Sequence, residues 1–124
     1  LSQIPSEHIE QTFFNIIENS PYVDGYFYIL KGQVVAYFLL SFTYSNELGG
    51  KILLLEELYV IPALQGKKIG TRILDFIEKT YSNKDTAIRL EVVKSNEIAK
   101  NMYYKQGFKD IKYQQLVKKI KQEE

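Results

Sequence analysis

Two groups of residues in this sequence have types and spacing suited to chemistry. The first lies in "YVIPALQGKKIGTRILDFIEK", Tyr59–Lys79, where an apolar segment ends at Pro62 and a basic, glycine-bracketed loop leads into an amphipathic repeat. Amides at a helix start lack intrahelical acceptors and sit at the positive end of the helix dipole. Glycines beside them let an anion come close. Lys67, Lys68 and Arg72 add positive charge, so the loop reads as a phosphate cradle. The second group is Glu56 and Glu57, adjacent carboxylates in the apolar run "LLLEELYV". Neighbouring strand residues face opposite sides, so only one of the two is expected to look into a cleft.

Two familiar phosphate motifs are excluded. A Walker A loop has four residues between its glycines and a Lys directly before Ser/Thr; Gly66 and Gly70 enclose three, and Gly70 itself precedes Thr71. The dinucleotide pattern GxGxxG is also absent. Taken alone, the loop reads equally as a basic helix start with turn glycines.

The elements that must position these residues follow from periodicity. Ile9, Phe13, Ile16 and Ile17 share one helical face, predicting a helix over Pro5–Glu18 that "NSPYVDG" breaks. Tyr26–Leu30 and Val34–Tyr44, separated by Lys31-Gly32-Gln33, read as a hairpin. After "NELGG", Lys51–Ile61 is a third strand ended by Pro62. Ile69, Ile73, Phe76 and Ile77 mark a helix whose other face carries Arg72, Asp75 and Glu78. "AIRLEVV" is a short strand, and Ser95 or Asn96 caps a helix stopping at Gly107. From Phe108 the pattern returns to strand, with a basic tail. The strand–helix–strand unit over 51–93 predicts a right-handed crossover. The expectation is one domain, 1–124, of α/β class in the α+β sense: a mixed, mostly antiparallel sheet with helices on both faces.

Composition narrows the function. The 124 residues suffice for one core, and 45% hydrophobic with 25% charged residues is ordinary for a soluble globule. A net charge of +1 argues against a nucleic-acid binder. With no cysteine there is no disulfide framework, thiolate chemistry or cysteine metal site, which favours a cytoplasmic setting. The longest apolar run, Val34–Leu40, is too short to span a bilayer, so no membrane role is expected. His8 stands alone on its helix, and no metal constellation accompanies it. The chain opens on Leu1 rather than Met, so some natural N-terminal sequence is expected before it.

Two stretches carry a family resemblance. "LYVIPALQGKKIGTRIL" resembles motif A of the GNAT superfamily of N-acetyltransferases, with Gln65, Gly66, Ile69 and Gly70 in place and Lys68 where a motif glycine usually stands. "SNEIAKNMYYKQGF" resembles motif B through Asn96, Ala99, Tyr103, Lys105, Gly107 and Phe108, with Met102 for Leu. The resemblance implies a GNAT-like fold whose opening strand and helix are missing here, and acetyl-CoA as cosubstrate. It further implies that Gln65, Gly66, Lys67, Lys68, Ile69, Gly70 and Thr71 surround the pyrophosphate. A β-bulge in the preceding strand would turn Leu58, Tyr59 and Val60 toward the pantetheine arm, Leu58 N–H polarising the thioester carbonyl.

Acetyl transfer to an amine needs a base, because an alkylammonium has a pKa of about 10. It also needs a held oxyanion and a proton for the leaving thiolate. Resemblance to spermidine/spermine N-acetyltransferases selects Glu56 as the base, acting through water; Tyr103 occupies the family's general-acid position. Asn96 is implied to bond the pantetheine, provided Ser95 takes the cap. Ala99 is implied beside the cofactor and Lys105 near its adenosine phosphate. Glu57, Arg89 and Glu91 are candidates for the acceptor site. "GFKDIKYQQLVKKI" is short for the family's closing hairpin, so the last strands are abbreviated or a second copy completes the sheet in a homodimer. The leading expectation is acetylation of a small-molecule amine; the alternatives are a protein or peptide amine, or a non-catalytic acyl-CoA-binding module.

Overall fold

The structure, a computed structural model, describes residues 10–13, 22–82 and 87–121. Five strands form one sheet in chain order: β1 (Glu10–Phe13), β2 (Val23–Leu30), β3 (Gln33–Ser45), β4 (Gly50–Val60) and β5 (Ala87–Leu90). The first four are antiparallel neighbours, and β5 joins β4 in parallel through the crossover helix α1 (Ile69–Tyr81). Helix α2 (Glu97–Lys105) follows β5.

Alternation explains the core. Tyr26, Tyr28, Phe38, Leu40, Leu53 and Leu55 point from the sheet into one cluster with Ile69, Ile73, Leu74, Ile77 and Tyr81 of α1. Tyr26 stacks on Phe38 at 4.8 Å between centroids, and Phe76 meets Tyr26 edge-on. The Tyr81 hydroxyl donates to Asp24 at 2.7 Å and is hydrogen-bonded to Tyr26, tying the end of α1 to β2. Burial, with Tyr26 and Asp24 alongside, pushes the Tyr81 phenol well above its ordinary pKa. The β2–β3 connection is tighter than the sequence suggests: Lys31 and Gly32 both have positive φ, the signature of a two-residue hairpin turn.

Two expectations change. The helix expected over Pro5–Glu18 is interrupted by β1, where Glu10 pairs with Ile29 and Phe13 with Tyr26. Sheet pairing along the β2 edge overrides a helical spacing whose segment "EQTF" holds Thr and Phe. The rest of that predicted helix, with Ile9, Ile16, Ile17 and His8, lies outside the described residues. At the other end no strand forms after Phe108: residues 108–121 join no ladder. A strand exists only against a partner, and β5 itself ends at Leu90 rather than Val93.

Candidate functional site

The site begins where two parallel strands part. β4 and β5 stay paired only from Ile52–Ala87 to Leu55–Leu90, while β4 continues to Val60 against β3. Backbone groups in an antiparallel ladder alternate between neighbour and open side. Ile61 N–H donates to Val35 O at 3.0 Å, so Ile61, Tyr59 and Glu57 present their amides to β3. Leu58 and Val60 therefore turn theirs to the open edge. Gln65 reaches back to that edge, its Nε2 donating to Val60 O at 3.0 Å, and fixes the loop to the strand end.

A bulge sits just before this edge. Leu39 pairs with Glu57 and Leu40 with Leu55, leaving Glu56 as the extra residue. The phase of the strand shifts there: Leu53 and Leu55 face the core before it, Leu58 and Val60 after it. Ser41 Oγ donates to Glu56 Oε2 and Tyr37 Oη to Glu57 Oε2, both at 2.6 Å. Tyr37 and Ser41 stand four residues apart on β3 and share the face opposite α1. Both glutamates consequently lie on one face, which corrects the expectation that only one could. The hydrogen bond to Glu57, then partial burial, raises the Tyr37 phenol. Tyr59 lies 5.6 Å from the Tyr37 ring.

The loop after β4 forms the expected helix start. A 3-10 turn over Pro62–Leu64 leads through Gly66, at φ +82°, to Lys68, the N-cap of α1. Lys68 takes the left-handed conformation, φ 68° and ψ 17°, which costs a residue with a Cβ roughly 1 kcal/mol. No side chain caps the helix, and its first backbone bond is Arg72 N–H to Lys68 O at 3.1 Å. The amides of Ile69, Gly70 and Thr71 are left without intrahelical acceptors. Lys67, Lys68 and Arg72 are exposed around them. Gly70 has a packing reason: a Cβ there would stand 2.7 Å from Met102 Sδ on α2.

Asn96, not Ser95, caps α2, its Oδ1 accepting from Ala99 N–H at 3.2 Å. That acceptor is thus engaged, and the condition attached to Asn96 as a pantetheine ligand is not met. At the other end, Phe108 N–H returns to Tyr103 O at 3.0 Å around Gly107, at φ +97°. This turn lays Phe108 edge-on against the Tyr103 ring, 5.6 Å away. Burial raises the Tyr103 phenol above its ordinary pKa. Tyr103 lines a cleft beside β5 with Arg89, Leu90 and Val92. Ala99 is half-buried, while Lys105 and Glu91 are exposed.

The open β4 edge and the α1 amides thus come together at one end of the sheet. Glu56 and Glu57 lie next to that edge on the face away from α1, and Tyr103 lies on the α2 side. Unpaired strand amides suit an amide-bearing arm, and orphan helix amides with nearby cations suit a phosphate; the residues present fit such a ligand. Sequence reasoning missed Tyr37, Ser41 and the Gly70–Met102 contact. Its available signal was two hydroxyls at i and i+4 in the apolar "YFLLS". Among the described residues no group of three His, Cys, Asp or Glu could hold a metal, and no helix is long and apolar enough to cross a membrane.

Comparison with known proteins gives a consistent result. The sequence profile of the acetyltransferase (GNAT) family matches residues 2–108. A thialysine N-epsilon-acetyltransferase of Mus musculus is 37% identical over 79 residues, 63% of this chain and 46% of that protein. An uncharacterised N-acetyltransferase of Methanocaldococcus jannaschii is 37% identical over 90 residues, 69% and 54% of the two chains. The chain spans about half the length of these curated relatives. An aminoglycoside N-acetyltransferase solved with CoA superimposes with TM-score 0.76 at 12% identity, over 90% of this chain and 95% of that one. A possible acetyltransferase from Clostridium difficile 630 gives 0.69 at 20% identity, over 82% and 68%.

Proposed function

The chain belongs to the acetyltransferase (GNAT) family, and from that membership we propose that it transfers acetyl from acetyl-CoA to a primary amine of a small molecule. The observation that carries this reading is the open β4 edge, with Leu58 and Val60 amides free beside the orphan amides of Ile69, Gly70 and Thr71. The pyrophosphate belongs on the loop Gln65–Thr71 and the pantetheine along Leu58–Val60. The mouse relative, named for a side-chain amine, supports a small-amine acceptor.

Acetyl-CoA supplies an activated acetyl group. Glu56, held by Ser41, takes the proton of the incoming ammonium through water, and Glu57 beside it adds negative charge that draws the cation in. Leu58 N–H polarises the acetyl carbonyl. Tyr103, its phenol raised by burial, stays protonated at neutral pH and hydrogen-bonds to the departing sulfur, giving up its proton late. Arg89 and Glu91 border the acceptor side, and Lys105 approaches the adenosine phosphate.

The test is CoA release from acetyl-CoA across polyamines, amino acids, aminoglycosides and peptides. Glu56→Gln should lower kcat about 10²-fold or more on the best amine, the usual share of a general base. Unchanged turnover in both Glu56→Gln and Tyr103→Phe defeats the mechanism; CoA binding without transfer to any amine defeats the activity.

A further inference from the structure

Arg89 is a half-buried cation with no anion beside it. It stands on β5 in register with Leu54 of β4, and Leu54 is in register with Ser41 of β3, so the three form one row across the sheet. Leu53, Leu55, Ile88 and Leu90 pack on the α1 side. Leu54 and Arg89 therefore face away from it, on the face that carries Ser41, Glu56 and Glu57. A guanidinium presents five donors and no acceptor, and taking it out of water without a partner is unfavourable. Among the described residues no hydrogen bond or ion pair reaches the Arg89 guanidinium.

Both carboxylates of that face are turned elsewhere. Ser41, at the far end of the Arg89 row, donates to Glu56 at 2.6 Å, and Tyr37 holds Glu57 at the same distance. Both hydroxyls belong to β3, two strand spacings or about 10 Å from β5. This anchoring draws the negative charge across β4 and leaves the guanidinium open. Arg89 and Tyr103 line a cleft of about 630 Å³ to which Lys94, Lys100 and Lys109 also contribute. The one carboxylate among its described lining residues, Asp110, already accepts from the Tyr104 hydroxyl at 2.7 Å. Positive charge thus collects along β5 and negative charge over β3, with the open end of β4 between them.

We propose that the acceptor amine also carries an anionic group, a carboxylate or a phosphate, which Arg89 binds while the amine stands at Glu56. Ser41 is a positioning residue for this recognition, because it keeps Glu56 from pairing with Arg89 itself. The molecule recognised is a small zwitterion rather than a polycation, its two charges no more than about 10 Å apart. The identity of the acceptor rests on the proposed function; the anion site on Arg89 does not.

Matched amines test the first part. Lysine and cadaverine differ by one carboxylate, and phosphoethanolamine and ethanolamine by one phosphate, so the two pairs separate the two anions. In at least one pair kcat/KM should favour the acid-bearing member about tenfold or more, the share of a charge-assisted hydrogen bond. The ratio should fall towards one in Arg89→Gln, with Arg89→Lys in between. Ser41→Ala should lower the same ratio by raising KM for the acid-bearing member, and Ser41→Thr should restore it. Loss of a base alone would slow both members alike. The anion site is also read without transfer: the chain has two arginines, Arg72 and Arg89, so Arg89→Gln assigns the Arg89 Nε–H resonance. That resonance should move on titration with acetate or inorganic phosphate. Acid-bearing amines no better than their partners in both pairs, a ratio unmoved by Arg89→Gln, or a resonance indifferent to both anions overturns the proposal. Failure to acetylate any amine sinks the proposed function instead, and the resonance then decides the anion site.

Discussion

Two of the open strand edges among the described residues, those of β4 and β5, are furnished differently. Along β4 the edge beyond Leu55 is bordered by polar groups already in place: Gln65 on the Val60 carbonyl, Ser41 and Tyr37 on the two glutamates, and the α1 amides at its end. Along β5 the edge is four residues long and looks onto Ile88, Leu90, Phe108 and Ile111. A small polar ligand gains from the first, because its orienting hydrogen-bond groups need not be assembled on binding. An apolar group gains from the second, because apolar burial needs area rather than directed groups. The same sheet thus separates a polar edge from an apolar one by changing what lies beside the backbone.

The largest expected effect is at Tyr103, which lines the cleft beside β5. Tyr103→Phe should lower kcat about 10²-fold while the Kd for acetyl-CoA changes little, as for loss of a proton donor. In the parent protein, if Tyr103 is the proposed proton donor, the alkaline limb of transfer should lie above pH 10, because burial raises the phenol and the donor form persists until that raised pKa is passed. Kinetics across pH on the best amine would check both. A limb below pH 9 that vanishes in Tyr103→Phe would contradict the assignment.

Gly70→Ala comes next. Its Cβ would stand 2.7 Å from Met102 Sδ, near the end of a flexible side chain that must shift to admit it, a cost of about 1 kcal/mol, the low end of overpacking. Thermal unfolding should show the loss, with acetyl-CoA affinity falling alongside it. Met102→Ala in the same chain should recover part of both, which a purely conformational role for Gly70 does not predict.

Smaller effects sharpen the comparison. Asn96→Ala removes a helix cap and should cost about 1 kcal/mol in denaturant unfolding. Lys68→Gly should stabilise by up to about 1 kcal/mol, because glycine relieves the left-handed conformation at some cost in chain entropy. It should leave the acetyl-CoA Kd equal or lower by calorimetry; a clear weakening would make the lysine itself a ligand.

Much of the scaffold was legible in local pattern. Ile69, Ile73, Phe76 and Ile77 mark α1 because one helix face meets one sheet face, and Gly107 ends α2 because the turn there needs positive φ. What stayed hidden depends on partners distant in sequence. Ile9, Phe13, Ile16 and Ile17 satisfy a helical period, yet Glu10–Phe13 pairs with β2. Glu56-Glu57 reads as simple alternation, because a bulge is a property of two strands in register. The site was legible as residue types at the loop and in motif B. The hydroxyls that hold the glutamates were not, because Tyr37 and Ser41 acquire their partners only through the β3–β4 ladder.

The bulge also separates the side chain at position 56 from its backbone. Glu56 is exposed, and replacing its side chain disturbs no core contact. Its backbone, however, acts as a dislocation, a single inserted unit that lets each half of β4 keep its own phase. Straightening the strand around it, with every residue kept, would advance everything downstream by half a pleat. Leu58 and Val60 would be driven out of the core and Tyr59 into it, and the amides of the open edge would turn toward β3. The charge at position 56 is therefore open to exchange at a cost in chemistry alone, whereas the backbone offset between Leu55 and Glu57 is fixed by geometry.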